Sequence, residues 1–226
     1  MTATGQVLWV VVADWRRFAY LVVLMTFMMF LSHGTQDLYP DFLQDVHRAT
    51  ASVRANVAMI YSFGAVAGAI FFGHLSQVAG RRKSMLAALA LSLTVIPLWA
   101  FGGNLVVLTA GALLMQAGVQ GAWGVIPVHL NELAADSARG LTSGLAYQCG
   151  ILFAAPTNSI EYALRNRIGY QWAITSFEIV TIFALCLLLW NGVEQHGRRF
   201  VDLSPGDESG VNKSARSRTE ATVVKV

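Results

Sequence analysis

The chain has 226 residues, of which 55% are apolar and 13% charged, with a formal net charge of +3. Its mean hydropathy is +0.52. A soluble domain carries about 25% charged residues, so these values exclude an ordinary water-surrounded globule. The basic residues are spread over loops, which excludes a nucleic-acid face as well. HExxH, GxSxG, P-loop and metal-spaced Cys motifs are all missing, so the sequence carries no signature of an enzyme, an ATP-driven pump, a cofactor or a metal.

Residues 1–17 read as a cytoplasmic lead-in ending in Trp15-Arg16-Arg17, an aromatic and basic anchor at the membrane face. Between Asp14 and Asp37 only Arg16 and Arg17 are charged, which predicts a first span over Phe18–Tyr39. No Lys, Arg, Asp or Glu occurs from Ala55 to Gly80, giving a second span over Val53–Leu75. The next uncharged run, Ser84 to Asn131, would make a helix about 70 Å long, more than twice the hydrocarbon core. It must fold back, and Gly102-Gly103-Asn104 is the turn signal. The third and fourth spans are then Ser84–Phe101 and Val106–His129. The window Gly140–Ile160 predicts a fifth span over Leu141–Tyr162. The window Ile168–Val193 holds one charge, Glu178, and predicts a sixth over Trp172–Trp190. The expectation is an all-α membrane domain over residues 18–191, followed by a polar, disordered cytoplasmic tail over 192–226.

Six spans place both termini on one side. Twelve of the 16 Lys and Arg fall on that side, and only Arg48, Arg54, Arg165 and Arg167 on the other. The excess of positive charge predicts cytoplasmic termini. Small residues recur at helix-packing spacing at Gly64 and Gly68, at Gly118, Gly121 and Gly124, and at Gly140 and Gly144; close helix contact is the simplest reading of them. Cys149 and Cys186 lie inside spans and read as small apolar residues.

The most unusual segment is Ser32-His33-Gly34-Thr35-Gln36-Asp37-Leu38-Tyr39-Pro40. The first span turns densely polar before it has crossed the bilayer. His33 and Asp37 stand at i, i+4 and can pair, with Ser32 and Gln36 on the adjacent face. Ionisable residues at membrane depth are costly and face a cavity or a partner, and a histidine beside a carboxylate can titrate in the physiological range. The alternative is a helix end lying at the interface.

A second constellation is the basic loop from Gly73 to Lys83, where Gly80, Arg81 and Arg82 can bridge helix ends and anionic head groups. A third is Pro127 to Gly140, where Glu132 and Arg139 can pair across a short connection and latch a gate. His74 and His129 read as interfacial. Glu178 stands out as a carboxylate well inside the last four spans, a helix-packing residue or a second proton site.

The residues that carry these constellations resemble the C-terminal half of the major facilitator superfamily. Asp14-Trp15-Arg16-Arg17 with Ser32 to Pro40, Trp123 to Pro127, Asn131-Glu132, Arg139-Gly140 and Leu145-Ala146-Tyr147-Gln148 are similar to the branch that carries lactate, pyruvate and sialate with protons. Met29 stands where that branch has Asn, Asp41 where it has Thr, and Gln77 where the loop motif has Asp. The resemblance implies a 3+3 inverted repeat and proton-coupled uptake of a monocarboxylate across the plasma membrane. It also implies a substrate path lined by Ser32, His33, Thr35, Gln36 and Asp37, gate loops containing Gly73, Gly80, Arg81, Arg82, Glu132 and Arg139, and an N-terminal six-helix half as partner. The other readings are a non-transporting fragment or interaction subunit, and a carrier of a different organic anion such as a sugar acid.

Overall fold

A computed structural model describes residues 14–134 and 139–192. The polar tail, most of the lead-in and the Arg139 side chain lie outside the described residues. Among the described residues nine helices follow in order: α1 Trp15–Gln36, α2 Tyr39–Asp45, α3 Ala51–Ala79, α4 Arg81–Phe101, α5 Leu105–Trp123, α6 Ile126–Leu133, α7 Arg139–Ala154, α8 Thr157–Ile168 and α9 Tyr170–Asn191. No strand occurs among the described residues.

Among the described residues five segments are long and apolar enough to cross a membrane: Trp15–Asp45, Ala51–Ala79, Arg81–Phe101, Leu105–Leu133 and Tyr170–Asn191. They coincide with five of the six expected spans. The fifth expected span is two consecutive helices, α7 of 16 residues and α8 of 12. At 1.5 Å per residue their summed length still exceeds a hydrocarbon core of about 30 Å.

Prolines explain where spans break. Pro40 lies in the first turn of α2 and Pro127 in the first turn of α6, while Pro156 precedes α8. A proline ring has no N–H to continue the helix and clashes with the carbonyl four residues earlier. The first, fourth and fifth spans are therefore each a helix followed by a shorter one. Pro97 is the exception and sits inside the continuous α4.

Connections elsewhere follow from local chemistry. The Asn104 side chain accepts from Val107 N–H at 3.0 Å and caps α5, so the predicted Gly102–Asn104 turn is where the chain folds back. Gly80, between α3 and α4, has φ +95°, a conformation that favours glycine.

Close approach organises the bundle. A Cβ at Gly64 would overlap the Leu113 carbonyl of α5, and one at Gly68 the Ala117 carbonyl. Gly118 stands equally close to Ala88 and Ser92 of α4. These glycines let α3 and α4 press onto α5. Gly140 and Gly144 have no atom within 4 Å of a built Cβ, so no close helix contact is made at that pair among the described residues. On the other side α1 packs on α7, and α9 bridges α1, α4 and α8. Leu21, Leu24, Met25, Met28 and Leu31 of α1 are fully buried, as their i, i+3, i+4 spacing demands.

Tyr39 ties the broken first span to this core. Its ring stacks on Trp99 with centroids 5.2 Å apart. Its hydroxyl lies 3.1 Å from the Trp99 carbonyl and 3.2 Å from that of Leu108. Tyr39→Phe keeps the stack and strands these acceptors. It should lower stability by about 1 kcal/mol, read as a fall of about 2–4 °C in the melting temperature in detergent. An unchanged melting temperature would show that the hydroxyl does not hold α2.

Candidate functional site

The polar segment at the end of α1 is the centre of the site. His33 Nδ1 lies 2.9 Å from Asp37 Oδ2, with side chains 50% and 30% exposed, so the pair faces away from the core. Ser32 and Gln36 turn toward α5. Gln36 Nε2 donates to Ser32 Oγ at 3.2 Å and to Gln116 Oε1 at 3.4 Å. Gln116 Nε2 donates in turn to Thr35 Oγ1 at 3.1 Å, and Gln120 Nε2 to Ser32 Oγ at 3.4 Å. The five expected path residues thus occupy one and a half turns. His33 and Asp37 form its open face, and the others form an amide and hydroxyl network with α5.

Gln116 and Gln120 escaped the sequence reading, although two amides at i, i+4 inside an apolar run are a signal of the same kind as His33 and Asp37. Met29, where the resembled branch has an amide, is a buried core residue.

Glycine at position 34 opens the opposite face of α1. A Cβ there would overlap Glu178 Oε1 and the Phe177 ring of α9. Glu178 is not alone among the later spans, contrary to expectation. The fifth span continues past Tyr162 to Ile168, which brings Glu161 inside the bundle, fully buried like Glu178.

Asp41 accepts from the Tyr162 hydroxyl, and Asp45 from that of Tyr170 at 2.5 Å. Arg165 donates to Tyr170 Oη at 2.9 Å. Its guanidinium sits 4.9 Å from the Tyr162 ring centroid and 5.0 Å from that of Tyr170, within cation–π range. Together these groups fasten α2 to α8 and α9.

The basic loop lies at the other end of the bundle. Arg81 is turned inward, 6% exposed, rather than toward head groups. It meets Glu132, 4% exposed, in a two-pronged ion pair: Nη2 to Oε1 at 3.0 Å and Nε to Oε2 at 3.3 Å. Its remaining donors reach Ser76 Oγ at 2.8 Å and Gln77 Oε1 at 3.3 Å. Arg82 donates to the Leu189 and Trp190 carbonyls, which satisfies the C-terminal end of α9. Gly80 supplies the positive φ that turns the chain into α4; Gly73 has only the Gly124 carbonyl near a built Cβ, at 4.0 Å. His129, expected at the interface, is fully buried. Met25, Trp123, Pro127, Asn131, Ser143 and Tyr147 line a cavity of about 210 Å³.

Breaking one side of a buried ion pair strands the other charge and costs about 3–5 kcal/mol. Glu132→Ala should therefore destabilise the bundle by that order, and Arg81→Met in the same chain should restore most of it. Thermal unfolding of the single and double variants in detergent measures this. Additive losses in the double variant would show that the two side chains act separately.

Residues 11–193 match the family described as Sugar (and other) transporter. A carboxylic acid transporter protein homolog of Saccharomyces cerevisiae is 36% identical over 154 residues, which cover 68% of this chain and 25% of that relative. A quinate permease of Neurospora terricola is 32% identical over 114 residues, covering 49% of this chain and 21% of the relative. The glucose transporter GlcP of Staphylococcus epidermidis is 25% identical over 174 residues, covering 71% and 38%. The chain spans about a quarter of the length of the carboxylic acid transporter homolog it matches. By fold, apolar spans and family match, the chain belongs to the Sugar (and other) transporter family of the major facilitator superfamily.

Proposed function

We propose that the chain works as part of a secondary transporter that moves a monocarboxylate such as lactate or pyruvate together with a proton. The observation that carries this reading is the His33–Asp37 pair on the open face of α1, part of a segment long and apolar enough to cross a membrane. It is flanked by the amides of Gln36, Gln116 and Gln120 and the hydroxyl of Ser32. A protonated imidazole offers a charge-assisted donor to a substrate carboxylate, and Asp37 orients it. The neighbouring amides and hydroxyl offer further donors to the carboxylate and any hydroxyl beside it. The 36% identity to a carboxylic acid transporter homolog supports the same substrate class.

Alternating access requires two bodies that rock about a midplane site. The partner in this reading is a second six-helix body facing the open side of α1. In the same reading the bundle sits in the plasma membrane with its termini in the cytoplasm. The Arg81–Glu132 pair then lies on the inner side as a gate contact, joined by Arg139, while the Asp41–Tyr162 and Asp45–Tyr170 contacts lie on the outer side.

A second reading has a specific observation behind it. Three amides and a hydroxyl within one site suit a polyhydroxylated acid as well as lactate, and a quinate permease is among the relatives. Competition of lactate uptake by quinate separates the two substrates.

The test is uptake of labelled lactate under an inward proton gradient, in membranes containing the chain together with its partner body. His33→Ala should lower acid-stimulated uptake about 10- to 100-fold, the loss expected for a hydrogen bond to a charged group. Asp41→Asn should leave it nearly unchanged. Acid-stimulated uptake that survives His33→Ala intact would remove this pair from the mechanism.

A further inference from the structure

Among the described residues two buried carboxyl groups have no hydrogen-bond partner. Glu161 of α8 and Glu178 of α9 are both 0% exposed. Among the described residues, none of their four oxygens has a hydrogen-bond partner. Glutamate is almost never fully buried unless paired, and an ionised carboxylate left unpaired in an apolar interior costs more than a fold can supply. Neither group makes a bond that would hold the bundle together, so packing gives no reason for either acid.

Their placement does give one. Glu178 Oε1 presses against Gly34, where any Cβ would overlap it. The cradle for this carboxyl is thus cut into α1, next to His33. The helix that carries Glu161, α8, packs against both α1 and α9. The two acids thus stand on neighbouring helices packed against α1. Thr175, one turn before Glu178 and 5% exposed, adds a hydroxyl that is likewise without a partner.

Charges on the surrounding elements are engaged elsewhere. On α2, Asp41 bonds Tyr162 and Asp45 bonds Tyr170. Arg165 of α8 is held by Tyr170, and Arg82 of α4 by the far end of α9. On α1, His33 is bonded to Asp37. No described cation forms an ion pair with either glutamate.

We propose that Glu161 and Glu178 are buried proton-binding groups behind the substrate path. A proton removes the charge that the surroundings cannot solvate and turns an orphan acceptor into a donor. A hard metal ion would call for six to eight oxygen ligands, more than two carboxyls and one hydroxyl provide. The site deepens the proton-coupled reading by locating the coupling proton inside this chain. It would stand as a proton site even if the substrate proved to be something other than a monocarboxylate.

The test is infrared difference spectroscopy of the chain reconstituted in lipid, recorded between acid and alkaline pH. It needs no transport. The wild type should show a protonated-carboxyl C=O band whose amplitude changes with pH. Glu178→Gln should remove part of that band, and Glu161→Gln should remove another part. Far-ultraviolet circular dichroism checks that each variant is folded; if one is not, the other variant and the wild-type titration carry the test. Spectra of folded variants that match the wild type would overturn the proposal, as would a wild type with no titrating band. A normal band result combined with no lactate uptake in membranes that contain the partner body would refute the monocarboxylate reading and leave the proton site standing.

Discussion

Backbone polar groups in lipid must find partners within the protein, and this constraint decides what a proline can do here. Pro40, Pro127 and Pro156 each fall where a span would otherwise run straight on. Each ends one helix and begins another. Beside the first break, side chains fasten the short helix: Tyr39 reaches the Trp99 and Leu108 carbonyls, and Asp41 meets Tyr162. The polar segment 32–37 sits just before the first break, at the last turn of α1. Without that break the same residues would continue a straight helix, and α2 could not be fastened to α8 and α9.

The end of α1 then serves three neighbours at once. Ser32, Thr35 and Gln36 bond with the α5 amides, Gly34 admits a carboxyl from α9, and His33 with Asp37 faces outward. Residues of three kinds alternate within six positions because a helix turns 100° per residue and its neighbours lie on different sides. At the other end of the bundle, the Arg81–Glu132 pair joins the start of α4 to α6.

Much of this was legible in the sequence because it is periodic or local. The charge-free windows located the spans to within a few residues, the Gly102–Asn104 turn is where the chain folds back, and His33 pairs with Asp37 as the four-residue spacing implies. Gly64 and Gly68 mark the closest helix contact. The contacts that escaped join residues far apart in the chain. Glu132 meets Arg81 across 51 positions and Gln36 meets Gln116 across 80, and no helical spacing links such pairs. Glu161 was missed for a different reason: an acid flanked by Tyr162 and Arg165 looks like the end of a span, whereas α8 carries it into the interior. His129 was misjudged in the same way, since a polar residue after Pro127 resembles an interface until α6 packs it inward.

The central claim is that residues 32–37 line a solvent-reachable substrate path rather than a lipid-facing or sealed surface. A single cysteine at position 36, in a chain whose Cys149 and Cys186 are replaced by alanine, tests it most directly in intact membranes containing the partner body. The account predicts labelling by a membrane-impermeant thiol reagent and protection by lactate, with no protection by an uncharged analogue. Absence of labelling from both sides, or labelling indifferent to lactate, would contradict it.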